Sequence, residues 1–244
     1  MTMKFKILTV MVASLVSMSS MAVTFDYRHE MKDTKNADHK DRLLISHRFE
    51  NGFGLSSEAS WKNGEPSGRT TPNKPYHEQV SNETEIIASY LYNFNKTYSL
   101  ESGLSYVTSS GSASYRPYIR AKANVMDDLT VSLRYRPYFK RNSSNIGLAG
   151  KDTSESGYVF TGNIDYTFLT SFTIGYELEY GKTTKAGFNY YRYDKDSDNF
   201  DHNVKLSYKW DKNWKPYLEV GNVAEDGATD HRQTRYRVGV QYNF

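Results

Sequence analysis

From Val23 onward the chain alternates apolar and polar residues with a period of two, segment after segment, up to Phe244. Leu129, Val131, Leu133, Tyr135, Pro137 and Phe139 share one face, and Thr130, Ser132, Arg134, Arg136, Tyr138 and Lys140 take the other. Phe172, Ile174, Tyr176, Leu178 and Tyr180 alternate with Thr173, Gly175, Glu177 and Glu179. Tyr236, Val238, Val240, Tyr242 and Phe244 alternate with Arg235, Arg237, Gly239, Gln241 and Asn243. A period of two marks β-strands with one dry face and one wet face. A soluble barrel buries its dry face inside, whereas a membrane barrel inverts the arrangement, apolar outside and polar within. Each segment here has aromatics at the ends of its apolar face and charges along the other, which predicts the inverted form.

Punctuation between the segments sets the strand count. Short turns fall at Asn51-Gly52, Asn95-Lys96, Met126-Asp127-Asp128, Leu169-Thr170-Ser171 and Asp211-Lys212-Asn213. Longer polar connections lie near 31–40, 63–82, 108–113, 142–156, 183–198 and 224–230. The two classes alternate, as periplasmic turns and outer loops do. Five turns and six loops join twelve strands, so the expectation is an all-β, 12-stranded antiparallel transmembrane β-barrel with both termini periplasmic. Residues 23–244 form this single domain.

Residues 1–22 read as a cleaved export signal. Lys4 and Lys6 make a basic start, the apolar run from Ile7 to Val16 is too short to span a bilayer, and Ser20-Met21-Ala22 is a small-x-small cleavage site. The absence of Cys excludes disulfides, zinc–thiolate sites and cysteine catalysis. A mean hydropathy of −0.72 argues against helical spans, and 15% aromatic residues argue against disorder. A formal net charge of +3 is too small to suggest nucleic-acid binding.

Assigning the apolar face to lipid turns the charged residues into the lumen. The sixth predicted strand then contributes Arg116, Tyr118, Arg120 and Lys122, and the seventh Arg134, Arg136, Tyr138 and Lys140. Arg235 and Arg237 come from the twelfth, Arg28 from the first, and Arg42 and Arg48 from the second. Two basic tracks are expected to face each other, with the inward acids Glu58, Glu85, Glu101, Asp165, Glu177, Glu179 and Asp201 mostly elsewhere. Inward Asp26 is expected to pair with Arg48 or Arg237. Symmetric pairing about the turn at Asp127 sets Arg120 opposite Arg134, Tyr118 opposite Arg136 and Arg116 opposite Tyr138. Like charges directly opposite destabilise a sheet pair. An anionic ligand would relieve that repulsion, and a guanidinium fork suits a carboxylate. Tyr118 and Tyr138 are candidates to stack on sugar faces. Pro117 and Pro137 face each other under the same register and predict a local bulge.

The blocks Val23-Thr-Phe-Asp-Tyr-Arg-His-Glu-Met-Lys-Asp-Thr34, His39-Lys-Asp-Arg-Leu-Leu-Ile-Ser-His-Arg-Phe49, Tyr115-Arg-Pro-Tyr118, Arg134-Tyr-Arg-Pro-Tyr138 and Tyr236-Arg-Val-Gly-Val-Gln-Tyr-Asn-Phe244 resemble the oligogalacturonate-specific porins of enterobacterial outer membranes. The resemblance covers essentially the whole chain from Val23. It implies a monomeric twelve-stranded channel that passes acidic oligosaccharides from pectin breakdown by passive diffusion; a sister branch takes sialic acid. The pore residues it carries over are Arg116, Arg120, Lys122, Arg134, Arg136, Arg235 and Arg237. Partners expected with it are outer-membrane lipid and lipopolysaccharide, and the barrel-assembly machinery that reads a terminal strand ending in Phe.

No cofactor or metal site is predicted. Asp194-Lys-Asp-Ser-Asp-Asn199 begins like a calcium loop, but Lys205 stands where the bidentate Glu is required. A barrel lipase would need a Ser–His pair on the lipid face; His47 and His202 are predicted there, near strand ends, with no convincing Ser beside them. A plugged structural barrel is the remaining competitor, separable from a pore by conductance.

Overall fold

The computed structural model describes residues 23–33, 37–64, 73–143, 154–185, 197–225 and 231–244. The predicted signal at 1–22 and Asp194 to Asp196 of the calcium-like stretch lie outside them. The strands are β1 (Val23–Lys32), β2 (Asp38–Arg48), β3 (Phe53–Asn63), β4 (Gln79–Asn93), β5 (Tyr98–Ser109) and β6 (Ser112–Met126). They continue as β7 (Leu129–Asn142), β8 (Ser154–Phe168), β9 (Phe172–Lys185), β10 (Asp198–Tyr208), β11 (Trp214–Ala224) and β12 (Arg232–Asn243). Each pairs antiparallel with its chain neighbours, and β1 pairs with β12 to close the barrel. The amide of Phe244 donates to the carbonyl of Val23 at 3.0 Å, extending that closing seam to its end.

Closure removes every sheet edge, so the backbone can face hydrocarbon, where an unpaired peptide group is costly. The surface is inverted as the pattern predicts. Leu218 on the outside is 59% exposed, while Thr161 facing the interior is 1% exposed. Leu104, Ile119, Leu133, Ile164, Val204, Leu218 and Val238 form an exposed aliphatic belt at mid-height. Aromatics rim it at both ends. Tyr106 contacts Tyr115 at one end; at the other Phe172 stacks on Tyr208, and Trp214, Tyr242 and Phe244 meet edge to face.

The outer wall departs from this rule at one place. His29, His39 and Asp41 alternate outward on β1 and β2 near their loop ends. His29 Nδ1 lies 2.8 Å from Asp41 Oδ1 and its Nε2 lies 3.1 Å from His39 Nδ1. The hydroxyl of Tyr27 donates to Asp41 at 2.6 Å, and Gln79 donates to its other oxygen. The chain at 73–78 covers the cluster, held by the Asn63 amide donating to the carbonyls of Lys74 and His77. A carboxylate on a lipid-facing wall is tolerable here because donors and covering chain replace the water it loses.

Two local expectations change. The connection between β5 and β6 is only 110–111, not a long polar loop over 108–113, because small polar residues still pair their amides, as in Thr108 with Ala113. No register shift occurs at Pro117 and Pro137. The β6–β7 ladder omits pairs over 116–118 and resumes in the same register, and the bulge falls at Asn124/Met126 beside the turn. A proline removes a donor from the ladder but inserts no residue, so the strands need not slip. A further irregularity lies at Ser60/Trp61, where β3 meets β4.

The β8–β9 turn carries Leu169 and Thr170 at φ 49° and 61°. A β-branched residue in the left-handed region is strained. Thr170→Gly is expected to stabilise the barrel by about 1 kcal/mol, read as a higher urea midpoint for unfolding from vesicles; an unchanged or lower midpoint contradicts the strain. In the β10–β11 turn the Asp211 carboxylate accepts from the amides of Asn213 and Trp214, at 2.7 Å each. These bonds hold its pKa below the usual carboxylate value. A lowered pKa stabilises the fold above the carboxylate range and is lost as pH falls through it. Asp211→Ala is therefore expected to lower the urea midpoint at neutral pH and to converge with the parent as pH falls through the lowered pKa of the carboxylate.

Candidate functional site

Every predicted pore cation has the inward parity. Arg28 and Arg42 are ladder partners on β1 and β2, and Arg120 and Arg134 are partners on β6 and β7, as symmetry about Asp127 requires. The Arg28–Arg42 pair was not foreseen, nor was a third cationic pair, Lys40 facing Lys62 across β2 and β3. The signal was available, since Lys40 shares the parity of Arg42.

The like charges are relieved by splaying. Arg120 turns to β5, where its Nη1 donates to Glu101 Oε2 at 3.2 Å. Arg134 turns the other way, to β8, where its Nη2 donates to the hydroxyl of Thr161 at 3.0 Å. In the Arg28–Arg42 pair, Arg42 takes both Asp26 at 2.9 Å and Glu58 at 3.3 Å. In each pair one guanidinium is thus neutralised, while Arg28 and Arg134 make no ion pair among the described residues. Buried Nε atoms of both also lack a partner there. Among the described residues no carboxylate takes these donors.

The expected segregation of acids and bases around the wall does not hold. Glu30 and Glu219 clamp Arg237 at 2.7 and 2.5 Å, and Glu101 serves both Arg48 and Arg120. Glu155 lies 3.6 Å from Lys140. Asp26 pairs with Arg42, rather than with Arg48 or Arg237, and also accepts from the hydroxyl of Tyr217 at 2.8 Å. The physical reason is burial: a guanidinium against the wall of a narrow barrel is shielded from water, so it recruits carboxylates from neighbouring strands. Glu177, Glu179 and Asp201 do sit together on β9 and β10 as expected; Glu179 and Asp201 are ladder partners.

Tyr118 and Tyr138 face the lumen but differ. Both lie flat over the glycine paired with them, Gly103 and Gly157, where a Cβ would collide with the ring. Tyr138 is only 5% exposed, and its hydroxyl bonds Glu155 and Thr183. It therefore belongs to the wall and has no free face for a sugar. Tyr118 is half-buried, gives its hydroxyl to Glu101 at 3.0 Å, and carries the Arg120 guanidinium 5.8 Å above its ring. Arg235 donates to Asn203 at 2.7 Å. Lys122 is exposed to the lumen, and Arg116 donates to Ser114 at 3.3 Å.

A cavity among the described residues lies on each basic track. The first, about 340 Å³, is lined by Arg116, Arg136, Lys140, Glu83 and Glu155 among others. The second, about 640 Å³, is lined by Lys40, Lys62, Arg235, Arg237 and Glu30 among others. On the outside, His47 pairs with Leu55 on the lipid-facing parity, and His202 bonds the Tyr176 hydroxyl at 2.7 Å.

The described strands thus form a closed twelve-stranded barrel, apolar outside and lined by guanidinium groups. Residues 16–244 match the family model described as oligogalacturonate-specific porin protein, KdgM. The chain belongs to the oligogalacturonate-specific porin family. It is 63% identical to the oligogalacturonate-specific porin KdgM of Dickeya dadantii (strain 3937), over 99% of this chain and 100% of that one. A solved KdgM porin in complex with disordered oligogalacturonate is 54% identical, covers 91% of this chain and 99% of its own, and superposes with a TM-score of 0.66. A NanC porin reaches a TM-score of 0.70 at 19% identity, over 92% of this chain and 100% of its own, a likeness of fold. The family consists of outer-membrane channels and not of enzymes, which answers the lipase alternative.

The splayed Arg120–Arg134 pair yields a test. Replacing both by Gln is expected to lower the chloride-over-potassium permeability ratio several-fold in planar bilayers, because two fixed charges leave the narrow wall. Unchanged selectivity would count against a role for this pair in the ion path.

Proposed function

We propose that this chain is a passive outer-membrane channel for acidic oligosaccharides, oligogalacturonates above all. The observation that carries the substrate is the whole-length likeness, 63% identity, to a porin of that specificity. The lumen supplies matching chemistry. Arg28 and Arg134 are inward cations without a carboxylate partner among the described residues, and Arg136 lines a cavity on the same track as Arg134. A polyuronate carries carboxylates at regular spacing, and each could exchange from one guanidinium to the next as the chain advances. Transport is diffusive and follows the gradient. Binding must be strong enough to recruit the anion and weak enough to release it.

In this reading residues 1–22 direct export and are removed. The Val23 and Phe244 end faces the periplasm, and the longer connections face outward. The barrel works as a monomer among outer-membrane lipid and lipopolysaccharide, and the assembly machinery engages the aromatic strand β12 during insertion. Arg116, Arg120, Lys122, Arg134, Arg136, Lys140, Arg235, Arg237, Arg28, Arg42 and Arg48 line the path. Arg42 and Arg237 serve chiefly as wall charges held by paired acids.

Swelling of proteoliposomes tests the reading. Trigalacturonate is expected to enter several-fold faster than a neutral trisaccharide of the same size. Equal rates, or faster entry of the neutral sugar, would overturn it.

A further inference from the structure

Beside the simple pair of Lys140 with Glu155, the described lumenal ion pairs include two shared kinds. Arg42 and Arg237 are each held by two carboxylates, and their side chains are 14% and 12% exposed. Glu101 is the inverse: one carboxylate shared by two guanidinium groups and a phenol. Its Oε1 accepts from Arg48 Nη2 at 2.7 Å and from the Tyr118 hydroxyl at 3.0 Å, and its Oε2 accepts from Arg120 Nη1 at 3.2 Å. Arg48 and Arg120 are 37% and 36% exposed, so the charge excess of this cluster faces water.

The cluster also joins the two basic tracks. Arg48 starts from β2, and its guanidinium lies beside Gly54 of β3, close to where a Cβ would stand and near the Ser89 hydroxyl of β4, on its way to Glu101 of β5. Arg120 arrives from the other side, on β6. Two forks and a hydroxyl converging on one carboxylate form the donor set that a ligand's carboxylate would require.

We propose that Glu101 is a resident carboxylate: it occupies the place of a uronate carboxylate between Arg48 and Arg120 and sets the specificity of the channel by competing with the ligand. The inference rests on the acidic-oligosaccharide reading above. An incoming carboxylate takes these guanidinium groups only by exchange with Glu101, and Glu101 recaptures them when it leaves. No covalent bond changes; one set of charge-assisted hydrogen bonds replaces another. The competition keeps binding shallow and release fast, which a diffusive pore needs. Glu101 is a positioning and specificity residue here, holding Arg48 and Arg120 in place between passages.

Glu101→Gln keeps the size of the side chain and removes the competing charge. In planar bilayers, trigalacturonate is expected to block the variant's current with a dissociation constant about tenfold lower than for the parent channel, and with longer closures. The chloride-over-potassium permeability ratio is expected to rise in the same variant. Maltotriose, a neutral trisaccharide, is expected to affect neither channel differently. Block by trigalacturonate that is unchanged or weaker, or selectivity that does not rise, overturns the proposal and leaves Glu101 as wall filling. Should Glu101→Gln fail to insert, Glu101→Asp decides. It keeps the charge but withdraws it by one methylene, so block should tighten while ion selectivity stays near that of the parent; block at the parental level overturns the proposal. A parent channel indifferent to trigalacturonate would mean the substrate reading has failed, while the selectivity of Glu101→Gln in potassium chloride still decides whether this carboxylate governs the anion path.

Discussion

In hydrocarbon a peptide group has no water to turn to, so each backbone donor and acceptor must be satisfied within the protein. The closed ladder from β1 through β12 meets that demand. Once the sheet is closed, successive side chains must point alternately to lipid and to lumen. Leu133, Ile164 and Leu218 go out, and Arg134, Asp165 and Glu219 go in, for this one reason. The seam between Phe244 and Val23 is part of the same requirement, since an open edge there would leave unpaired groups at the membrane boundary.

Closure creates a second problem, a wall crowded with charge. The interior answers it by strand-to-strand pairing, in which residues distant along the chain share protons and charge. Arg237 of β12 meets Glu30 of β1 and Glu219 of β11, and Arg48 of β2 reaches Glu101 of β5. Where ladder geometry sets two guanidinium groups side by side, one is given to acids; of the others, Arg134 donates to a hydroxyl and Arg28 has no ion pair among the described residues. Arg28 and Arg134, without a carboxylate partner among the described residues, differ in this from Arg48 and Arg120, which share Glu101. A pore for acidic sugars thus emerges from incomplete neutralisation of the wall more than from an excess of positive charge, which matches a formal net charge of only +3.

Large side chains must also be stored without closing the lumen. The flat seating of Tyr118 over Gly103 and of Tyr138 over Gly157 does this by pairing a ring with a residue that has no side chain. The outcome differs between them because Glu155 and Thr183 seal Tyr138 into the wall, whereas Tyr118 shares Glu101 with the more exposed Arg48 and Arg120. The polar cluster of His29, His39 and Asp41 is the corresponding device on the outside, where covering chain stands in for water.

The strand count, the antiparallel order, the inversion and the inward parity of Arg28, Arg42, Arg120, Arg134, Arg235 and Arg237 were legible in the chain, because a period of two is a local property and the turn at Asp127 sets its own register. The Arg120–Arg134 encounter followed from the same symmetry. The acids could not be placed that way. Glu101 is the ladder partner of Arg120, a pairing hidden while 108–113 reads as a long loop, and its bond to Arg48 depends on how far that side chain reaches across β3 and β4. Likewise, nothing local tells that Asp26 takes Arg42, that Tyr138 is sealed, or that 73–78 folds over Asp41. Alternation along one strand determines which face a side chain takes; only the closed barrel decides which charge it meets there, because that depends on curvature and on distances between strands far apart in the chain.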